Sequence, residues 1–333
     1  MSVMTGCLAG ATATGLVDPD VRSDAYTQCT DIMSRILGVT LLNMRADVKL
    51  AVMAAVYGSK EEPKKAFGDD TPELNAFWEA LMELAPGACE LLQALVESWQ
   101  PWAKGHAWEL PDGYQALVRT KKKIENAKIE VDELAHASFS YTYYVNEGSR
   151  TGVKNAANVI HSLDAYVLRS LVRRCSYDRV RVDNLARDIQ IELLERTLGN
   201  NECKPDWFVS CEVRQAIEHY ERSTVVDLAV VPHLSGEHLP RLATEHLKAL
   251  SKILAQMRKH EPFEIITVHD DFKCHANNMN HLRHHYKEIL AELADSELMA
   301  DILNQIHGTT GTQLTKLTPD LSKHIRNSNY ALS

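Results

Sequence analysis

The sequence lacks the features that define membrane, secreted and zinc-ribbon proteins. No apolar run approaches the about 18 residues that a membrane span requires. The N-terminal MSVMTGCLAGATATGLV is small and apolar but lacks the basic flank of a signal peptide, so we expect it to pack against another surface. The seven cysteines form no C-x-x-C pair. They therefore predict free thiols in a reducing compartment and exclude a disulfide framework.

A surplus of positive charge is also missing. The formal net charge is −9 and the pI is about 5.9. This balance argues against attraction of nucleic acid to the whole surface, so any polyanion site must be a local groove. Two basic runs exist, Lys121–Lys123 and the segment RRCSYDRVR from Arg173 to Arg181. Such runs are usually solvated faces.

The spacing of apolar and turn-forming residues predicts an α+β fold. The first third is helical, and Ser23 is the expected N-cap of one helix. A hairpin is predicted around a Pro-Asp-Gly turn, followed by the β-rich segment ASFSYTYYVNEG and a helix from near Thr151. The run FEIITVHDDF predicts a strand that enters a tight turn. One long helix is predicted from near Asn278 to Ile306.

One predicted helix carries Arg45, Lys49, Met53 and Tyr57 at intervals of four residues and stops at Gly58. This spacing forms one stripe along about 18 Å of helix. The stripe allows two interpretations. Either Met53 and Tyr57 face the core of a surface helix, or two cations bind a triphosphate while the aromatic ring faces a base.

The pattern R-x-x-x-K-x-x-x-M-x-x-x-Y-G-S-K, from Arg45 to Lys60, resembles the fingers helix of the single-subunit RNA polymerases of bacteriophages and mitochondria. The resemblance implies a right-hand polymerase fold. It also implies that Arg45 and Lys49 contact the phosphates of the incoming nucleotide. Tyr57 would select ribose over deoxyribose, and Met53 would pack beside the templating base.

Two further segments are similar to motifs of this family and follow in the family's order. The first is the hairpin WELPDG, from Trp108 to Gly113. The second is NVIHSLD, in which the resemblance implies that His161 lies near the tyrosine and the 2′-hydroxyl of the nucleotide. The segment from Gln115 to Gly148, which precedes it, resembles the promoter-reading loop in position.

The segment FEIITVHDDF resembles the catalytic hairpin of the family. Two-metal phosphoryl transfer requires carboxylates that bridge both ions, and the resemblance assigns Asp270 as one of these metal ligands. His269 would orient the neighbouring backbone or the primer end. Asp271 departs from the family pattern, which has a small residue there. The tail DLSKHIRNSNYALS resembles the family's terminal foot, so burial of the last residues, from Tyr330, is expected.

The family's first catalytic aspartate, in a motif D-x-x-x-S-G-x-Q, is missing. The opening MSVMTG resembles the helix that follows this motif. We therefore expect a second polypeptide to supply that aspartate and to share two Mg²⁺ ions, as in the split RNA polymerases of N-four-type phages. The other expected partners are a DNA template, the RNA product and nucleoside triphosphates in the cytoplasm of an infected bacterium.

The resemblance also divides the chain. Residues 1–16 would complete the palm begun by the partner chain, residues 17–160 would form the fingers, and residues 161–333 would form the palm. An insertion is expected at about residues 175–239. Two other functions stay open. One is a metal-dependent phosphohydrolase centred on His269 and Asp270, with ligands from His275, His281, His284 and His285. The other is a subunit without catalytic activity.

Overall fold

The computed structural model describes residues 1–150, 152–199, 209–268 and 271–331, and only the backbone of residues 122–127. It shows an α+β chain in which small antiparallel hairpins interrupt a predominantly helical body, as the sequence predicts. None of the described helices is long and apolar enough to cross a membrane.

The helices of the described residues fall into three groups along the chain. The N-terminal group is α1 (Ser2–Thr5), α2 (Leu8–Ala13), α3 (Ala25–Leu37), α4 (Arg45–Ala55), α5 (Glu61–Phe67), α6 (Pro72–Leu84) and α7 (Pro86–Glu97). The middle group is α8 (Lys154–Cys175), α9 (Arg179–Thr197), α10 (Cys211–Ser223) and α11 (Thr244–Met257). The C-terminal group is α12 (Met279–Asp295), α13 (Leu298–His307) and α14 (Leu321–Asn327).

Three two-stranded antiparallel hairpins separate these groups. They are β1 (Gly105–Glu109) with β2 (Gln115–Arg119), β3 (Lys122–Val131) with β4 (Ala137–Val145), and β5 (Ile266–Val268) with β6 (Asp271–Lys273). The first alternates strictly, because Trp108 and its cross-strand partner Ala116 face the core. The second is a ribbon whose strand β4 is exposed along almost its whole length.

Four hydrophobic clusters hold the described elements together. The largest centres on α8, α12 and α13 and includes side chains of α7 and of the first hairpin. A second cluster runs from Val182 to Met257 and therefore joins α11 to most of the expected insertion. A third packs α3, α4 and α6 together, and a small fourth packs α2 against α12 and α14.

The apolar N-terminus is covered by the chain itself. Met4 belongs to the largest core, and Ala11 is fully buried in the fourth cluster. Lys316 Nζ donates to the carbonyl oxygen of Met4 at 2.7 Å, and the N–H of Leu317 donates to Thr5 at 2.9 Å. The apolar character of this segment is thus explained without a partner chain, and that partner stays a prediction.

Two local predictions were wrong. Asp24, not Ser23, caps α3, because its backbone is extended and its carboxylate accepts from the N–H groups of Tyr26 and Thr27. The predicted final helix breaks at Ser296, which adopts an extended conformation (ψ 162°) at the end of α12. The next N–H, that of Glu297, donates to the carbonyl oxygen of Ser223 at 2.9 Å, so a tertiary contact ends the helix.

The C-terminal tail is less buried than expected. Ser328 is buried and donates to the carbonyl oxygen of Gly15 at 3.3 Å. Tyr330 and Ala331 are half-buried, and residues 332 and 333 lie outside the described residues.

Candidate nucleotide-binding site

Helix α4 presents the predicted stripe to solvent. The side chains of Val48, Ala51, Val52 and Ala55 are buried against the third cluster. Arg45, Lys49 and Met53 are exposed, and Met53 retains 45% of its accessible surface. The interpretation in which Met53 faces the core is therefore wrong. Met53 therefore lies on the solvent-exposed face of α4 together with Arg45 and Lys49.

The end of α4 explains why glycine follows Tyr57. The N–H of Gly58 donates to Ala55 at 2.8 Å, and the N–H of Ser59 donates to Ala54 at 3.1 Å. These are the two hydrogen bonds of a Schellman motif, which requires a left-handed residue. Gly58 supplies it with φ 86°. A Cβ on Gly58 would lie 3.4 Å from Cβ of Val153, so the conformation rather than the space demands glycine.

The turn places the ring of Tyr57 on the imidazole of His161. The ring centroids are 4.9 Å apart and the planes differ by 14°, which is a parallel stack. His161 is exposed on α8, whereas Tyr57 is half-buried. The proximity that the resemblance implies for these two residues is therefore present. The stack closes one end of the exposed α4 face.

A hydrogen bond between two other predicted motifs fixes the orientation of α8. Trp108 Nε1 donates to Ser162 Oγ at 3.0 Å, and Ser162 Oγ donates to the carbonyl oxygen of Val159 at 2.8 Å. Trp108 and Ser162 are both buried. Because Ser162 follows His161 directly, its anchorage in the core directs the imidazole outward to Tyr57.

The Pro-Asp-Gly turn is clamped by arginines of α8. Asp112 accepts from Arg169 Nε at 2.5 Å and from Arg173 Nη2 at 2.9 Å, and its side chain is only 1% exposed. Burial alone would raise the pKa of Asp112, but the hydrogen bonds and charges of the two arginines outweigh it and lower that pKa. Arg173 also pairs with Asp227 at 3.2 Å, which ties the turn to the expected insertion.

Arginines of the second basic run make ion pairs and hydrogen bonds within the protein, and Arg181 among them stays exposed. Arg173 is engaged as described, and the buried Arg174 donates through Nη1 to Glu292 at 3.1 Å. Arg181 Nε donates to the carbonyl oxygen of Val231 at 2.9 Å. These side chains join α8 and α9 to their neighbours, so the run has a structural role.

Two residues that the sequence did not indicate border the stripe. Asp24 Oδ2 accepts from Arg45 Nε at 2.6 Å, and this hydrogen bond is the main reason that the pKa of Asp24 falls to about 2. The guanidinium of Arg45 lies 5.5 Å from the ring centroid of Tyr26, and Lys49 Nζ lies 5.8 Å from the same centroid. The ring of Tyr26 thus makes a cation–π contact with each of the two cations. The only sequence signal for this group is an acidic N-cap two residues before a tyrosine.

The two strands of the predicted catalytic hairpin, β5 and β6, are present on either side of its tip. Val268 pairs with Asp271 and Thr267 with Phe272, while His269 and Asp270 themselves lie outside the described residues. Phe272 contacts the ring of Tyr286 on α12, with centroids 5.8 Å apart, and packs against the same core as α8. The carboxylate of Asp271 pairs with Lys273 Nζ at 3.1 Å.

The histidines proposed as hydrolase ligands form a different arrangement. His285 is fully buried, and its Nε2 lies 2.7 Å from Nε2 of His260. His281 packs beside His260 with ring centroids 4.7 Å apart. Within the described residues, three ligand atoms come within 4.8 Å of one another only at Glu130, Asp132 and His136, an exposed group at the end of the β3–β4 ribbon. The hydrolase alternative is centred on His269 and Asp270, which lie outside the described residues, so it stays a prediction.

Comparison with known proteins adds no assignment: no protein-family model and no curated protein matches the chain.

Proposed function

We propose that the chain is the catalytic subunit of a DNA-directed RNA polymerase. This polymerase would belong to the same class as the single-subunit enzymes of phages but would be divided into two polypeptides. The observation that carries the proposal is the stack of Tyr57 on His161 at the end of a helix whose exposed face bears Arg45, Lys49 and Met53. Two motifs from distant parts of the chain thereby meet at one surface, as a nucleotide site of this class requires.

The exposed face of α4 suits a nucleoside triphosphate. Arg45 offers a planar guanidinium for phosphate oxygens and Lys49 offers a compact positive charge one turn further along. Met53 adds a polarisable apolar contact between the cations and the rings. In this arrangement the triphosphate lies along Arg45 and Lys49, and the sugar lies beside Tyr57 and His161.

The rings of Tyr57 and His161 provide the sugar contact. The stack restrains both rings and therefore fixes the position of the Tyr57 hydroxyl. A ribose hydroxyl beside it meets a hydrogen-bond partner that is already in place. A site built to hydrogen-bond a hydroxyl discriminates against the analogue that lacks it, because its own polar group then stays unpaired. We therefore expect the pair to favour ribonucleotides over deoxynucleotides.

The metal chemistry belongs to Asp270 in this proposal, with the remaining carboxylate supplied by the partner chain. Two Mg²⁺ ions would neutralise phosphate charge and activate the attacking hydroxyl. Val268 and Asp271 are cross-strand partners on the two sides of the segment that contains Asp270. The assignment of Asp270 rests on the resemblance of the segment to the family's catalytic hairpin, and the neighbouring Asp271 pairs with Lys273 at the surface.

The β3–β4 ribbon is the proposed contact with DNA. Phe139, Tyr141 and Tyr143 alternate along β4 and are exposed, and the rings of Tyr141 and Tyr143 stack with centroids 5.6 Å apart. Exposed aromatic rings on a strand offer faces on which unpaired bases stack. This matches the position of the promoter-reading loop and a template that enters as single-stranded or opened DNA.

Purification of the chain alone and with its partner polypeptide tests the proposal. The assay is ribonucleotide incorporation on single-stranded DNA with Mg²⁺. We expect activity from the pair only, loss of that activity in Lys49→Ala, and retention in Lys248→Ala, an exposed lysine on α11. Incorporation by the isolated chain would contradict the shared active site. Phosphatase activity without template would favour the hydrolase.

A further inference from the structure

Asp24 is a rigid anchor rather than a mobile surface carboxylate. Its Oδ1 accepts from the N–H of Tyr26 at 3.1 Å and its Oδ2 accepts from Thr27 Oγ1 at 2.8 Å. The residue caps α3, which packs against α4 and α6 in the third core. The carboxylate is therefore held by the helix that it caps, and a side chain bound to it takes a defined position.

The anchor holds Arg45 by one nitrogen. Among the contacts between described residues, the guanidinium meets Asp24 through Nε at 2.6 Å. A contact through Nε uses one edge of the guanidinium, and the edge formed by Nη1 and Nη2 has no partner among the described residues, so it can bind phosphate oxygens in pairs. Arg45 is therefore a positioned cation that keeps the Nη1 and Nη2 edge for a ligand, while Asp24 offsets part of its charge.

The ring of Tyr26 fixes the second cation relative to the first. Tyr26 packs against the third core, so its ring is restrained from behind. Arg45 and Lys49 both lie over this ring, at 5.5 and 5.8 Å. A shared aromatic ring attracts both positive charges and offsets part of the repulsion between them. Two long, flexible side chains thereby lose freedom before a ligand arrives.

We propose that Asp24 and Tyr26 are positioning residues that preorganise Arg45 and Lys49 for the triphosphate. The inference rests on the proposed function and adds two residues that carry no phosphate contact themselves. It predicts a change in anion affinity that is opposite to the change expected from charge alone. Removal of a negative charge beside an anion site ordinarily strengthens anion binding, whereas loss of a positioning carboxylate weakens it.

Binding of inorganic tripolyphosphate to the full chain in EDTA, measured by calorimetry, tests this sign. Asp24→Asn is the informative variant, since asparagine caps a helix as well as aspartate does but loses both the charge and the second acceptor oxygen that holds Arg45 Nε. We expect its affinity to fall about fivefold, the scale of one charge-assisted hydrogen bond partly screened by water. Asp31→Asn, at an exposed position of the same helix, is the matched charge control and should bind as tightly as the wild type or more tightly.

The role of Tyr26 is tested by comparing a substitution that removes the aromatic ring with one that keeps it. Tyr26→Leu keeps an apolar side chain but removes the π face and should weaken binding, whereas Tyr26→Phe should restore it. In the polymerase formed with the partner chain, the same variants should raise KM for nucleotides more than they lower kcat, because chemistry at the metal site is untouched. A purely structural role for either residue would not produce this split.

The outcomes separate the inference from the proposed function. Tighter or unchanged binding by Asp24→Asn, with wild-type binding that depends on Lys49, overturns the positioning role and leaves the nucleotide site standing. Failure of the wild type to bind tripolyphosphate, or indifference of that binding to Lys49→Ala, overturns the nucleotide site and the positioning role with it.

Discussion

Tyr57 and His161 stack with ring centroids 4.9 Å apart, although Tyr57 lies in the turn after α4 and His161 lies on α8, which follows the first hairpin in sequence. The contact depends on two separate devices. Gly58 ends α4 in a left-handed turn, and Ser162 anchors α8 to Trp108. A stack supported in two places is a restrained pair, which is what a discriminating site requires.

Replacement of Tyr57 by phenylalanine should relax sugar selection. The ring and its stack persist, but the hydroxyl is lost. We expect the ratio of kcat/KM for ribonucleotides to that for deoxynucleotides to fall about 5- to 10-fold, equivalent to one neutral hydrogen bond of about 1 kcal/mol. The measurement is competitive incorporation by the chain with its partner.

A second tyrosine–histidine stack supplies the control for that experiment. Tyr220 lies on His246 with centroids 4.2 Å apart, in the second core. Tyr220→Phe should leave the ribose preference unchanged. Equal loss of preference in both variants, or none in Tyr57→Phe, would contradict the role of Tyr57.

The bond between Trp108 and Ser162 should be visible in stability. Ser162→Ala leaves the buried indole N–H without its acceptor, which costs about 1–3 kcal/mol of unfolding free energy. Trp108→Phe removes the donor, so the double variant should lose about 1 kcal/mol less than the sum of the single losses. Urea unfolding followed by circular dichroism measures all three. Strict additivity would show that the hydrogen bond contributes nothing.

The stripe on α4 could be predicted from sequence because helix periodicity alone places residues four apart on one face. Burial of Val48 and Ala51 on the opposite face needs no distant information. The hairpin at Pro-Asp-Gly is equally local, since Gly113 supplies the positive φ that its turn requires. Local rules were sufficient for these elements.

The break between α12 and α13 could not be predicted in this way. The segment contains no glycine or proline, and a tertiary hydrogen bond from Glu297 to Ser223 accompanies the break. The basic run from Arg173 posed the same difficulty. Whether an arginine is solvated or buried depends on distant partners such as Asp112 and Glu292, which local sequence does not identify.

The buried histidine pair should make stability depend on pH. Burial lowers the pKa of His285 to about 2 and also lowers the pKa of His260, with the nearby Arg174 acting in the same direction on His285. Below pH 6.5, the ordinary value, the unfolded chain therefore binds protons that the native state refuses. Stability should fall as the pH drops below 6.5, by up to about 1.4 kcal/mol per pH unit for His285.

His285→Leu isolates this effect. The variant lacks the proton uptake, so its unfolding free energy should depend less steeply on pH between 6.5 and 4.5, a window of about two units in which the slope is set by linkage. His324→Leu, at an exposed position, should keep the wild-type slope. Parallel curves for wild type and His285→Leu would show that His285 titrates normally in the native state.

The stability contributed by the ion pairs of Asp112, in the Pro-Asp-Gly turn, should depend on pH in a more acidic range. Asp112→Asn leaves Arg169 and Arg173 without their shared carboxylate, at a cost of about 3 kcal/mol near neutral pH. Because the pKa of Asp112 is lowered from 3.8, its contribution is present above that pH and is lost as the pH falls through the native value. The stability gap between wild type and variant should therefore narrow below pH 3.8. A gap that is constant down to the acid transition would contradict the ion-pair origin.

Two adjacent aspartates, Asp270 and Asp271, allow the proposed metal role to be tested. Asp270→Ala should leave the complex with the partner chain intact but lower turnover about a thousandfold or more, each decade being about 1.4 kcal/mol of barrier. Asp271→Ala removes only an exposed pair with Lys273, so turnover should change little. Single-turnover incorporation at saturating Mg²⁺ distinguishes chemistry from product release. If Asp271→Ala is the variant that abolishes incorporation while Asp270→Ala retains it, the ligand assignment moves to Asp271, and the pair with Lys273 then becomes a contact that the metal must displace.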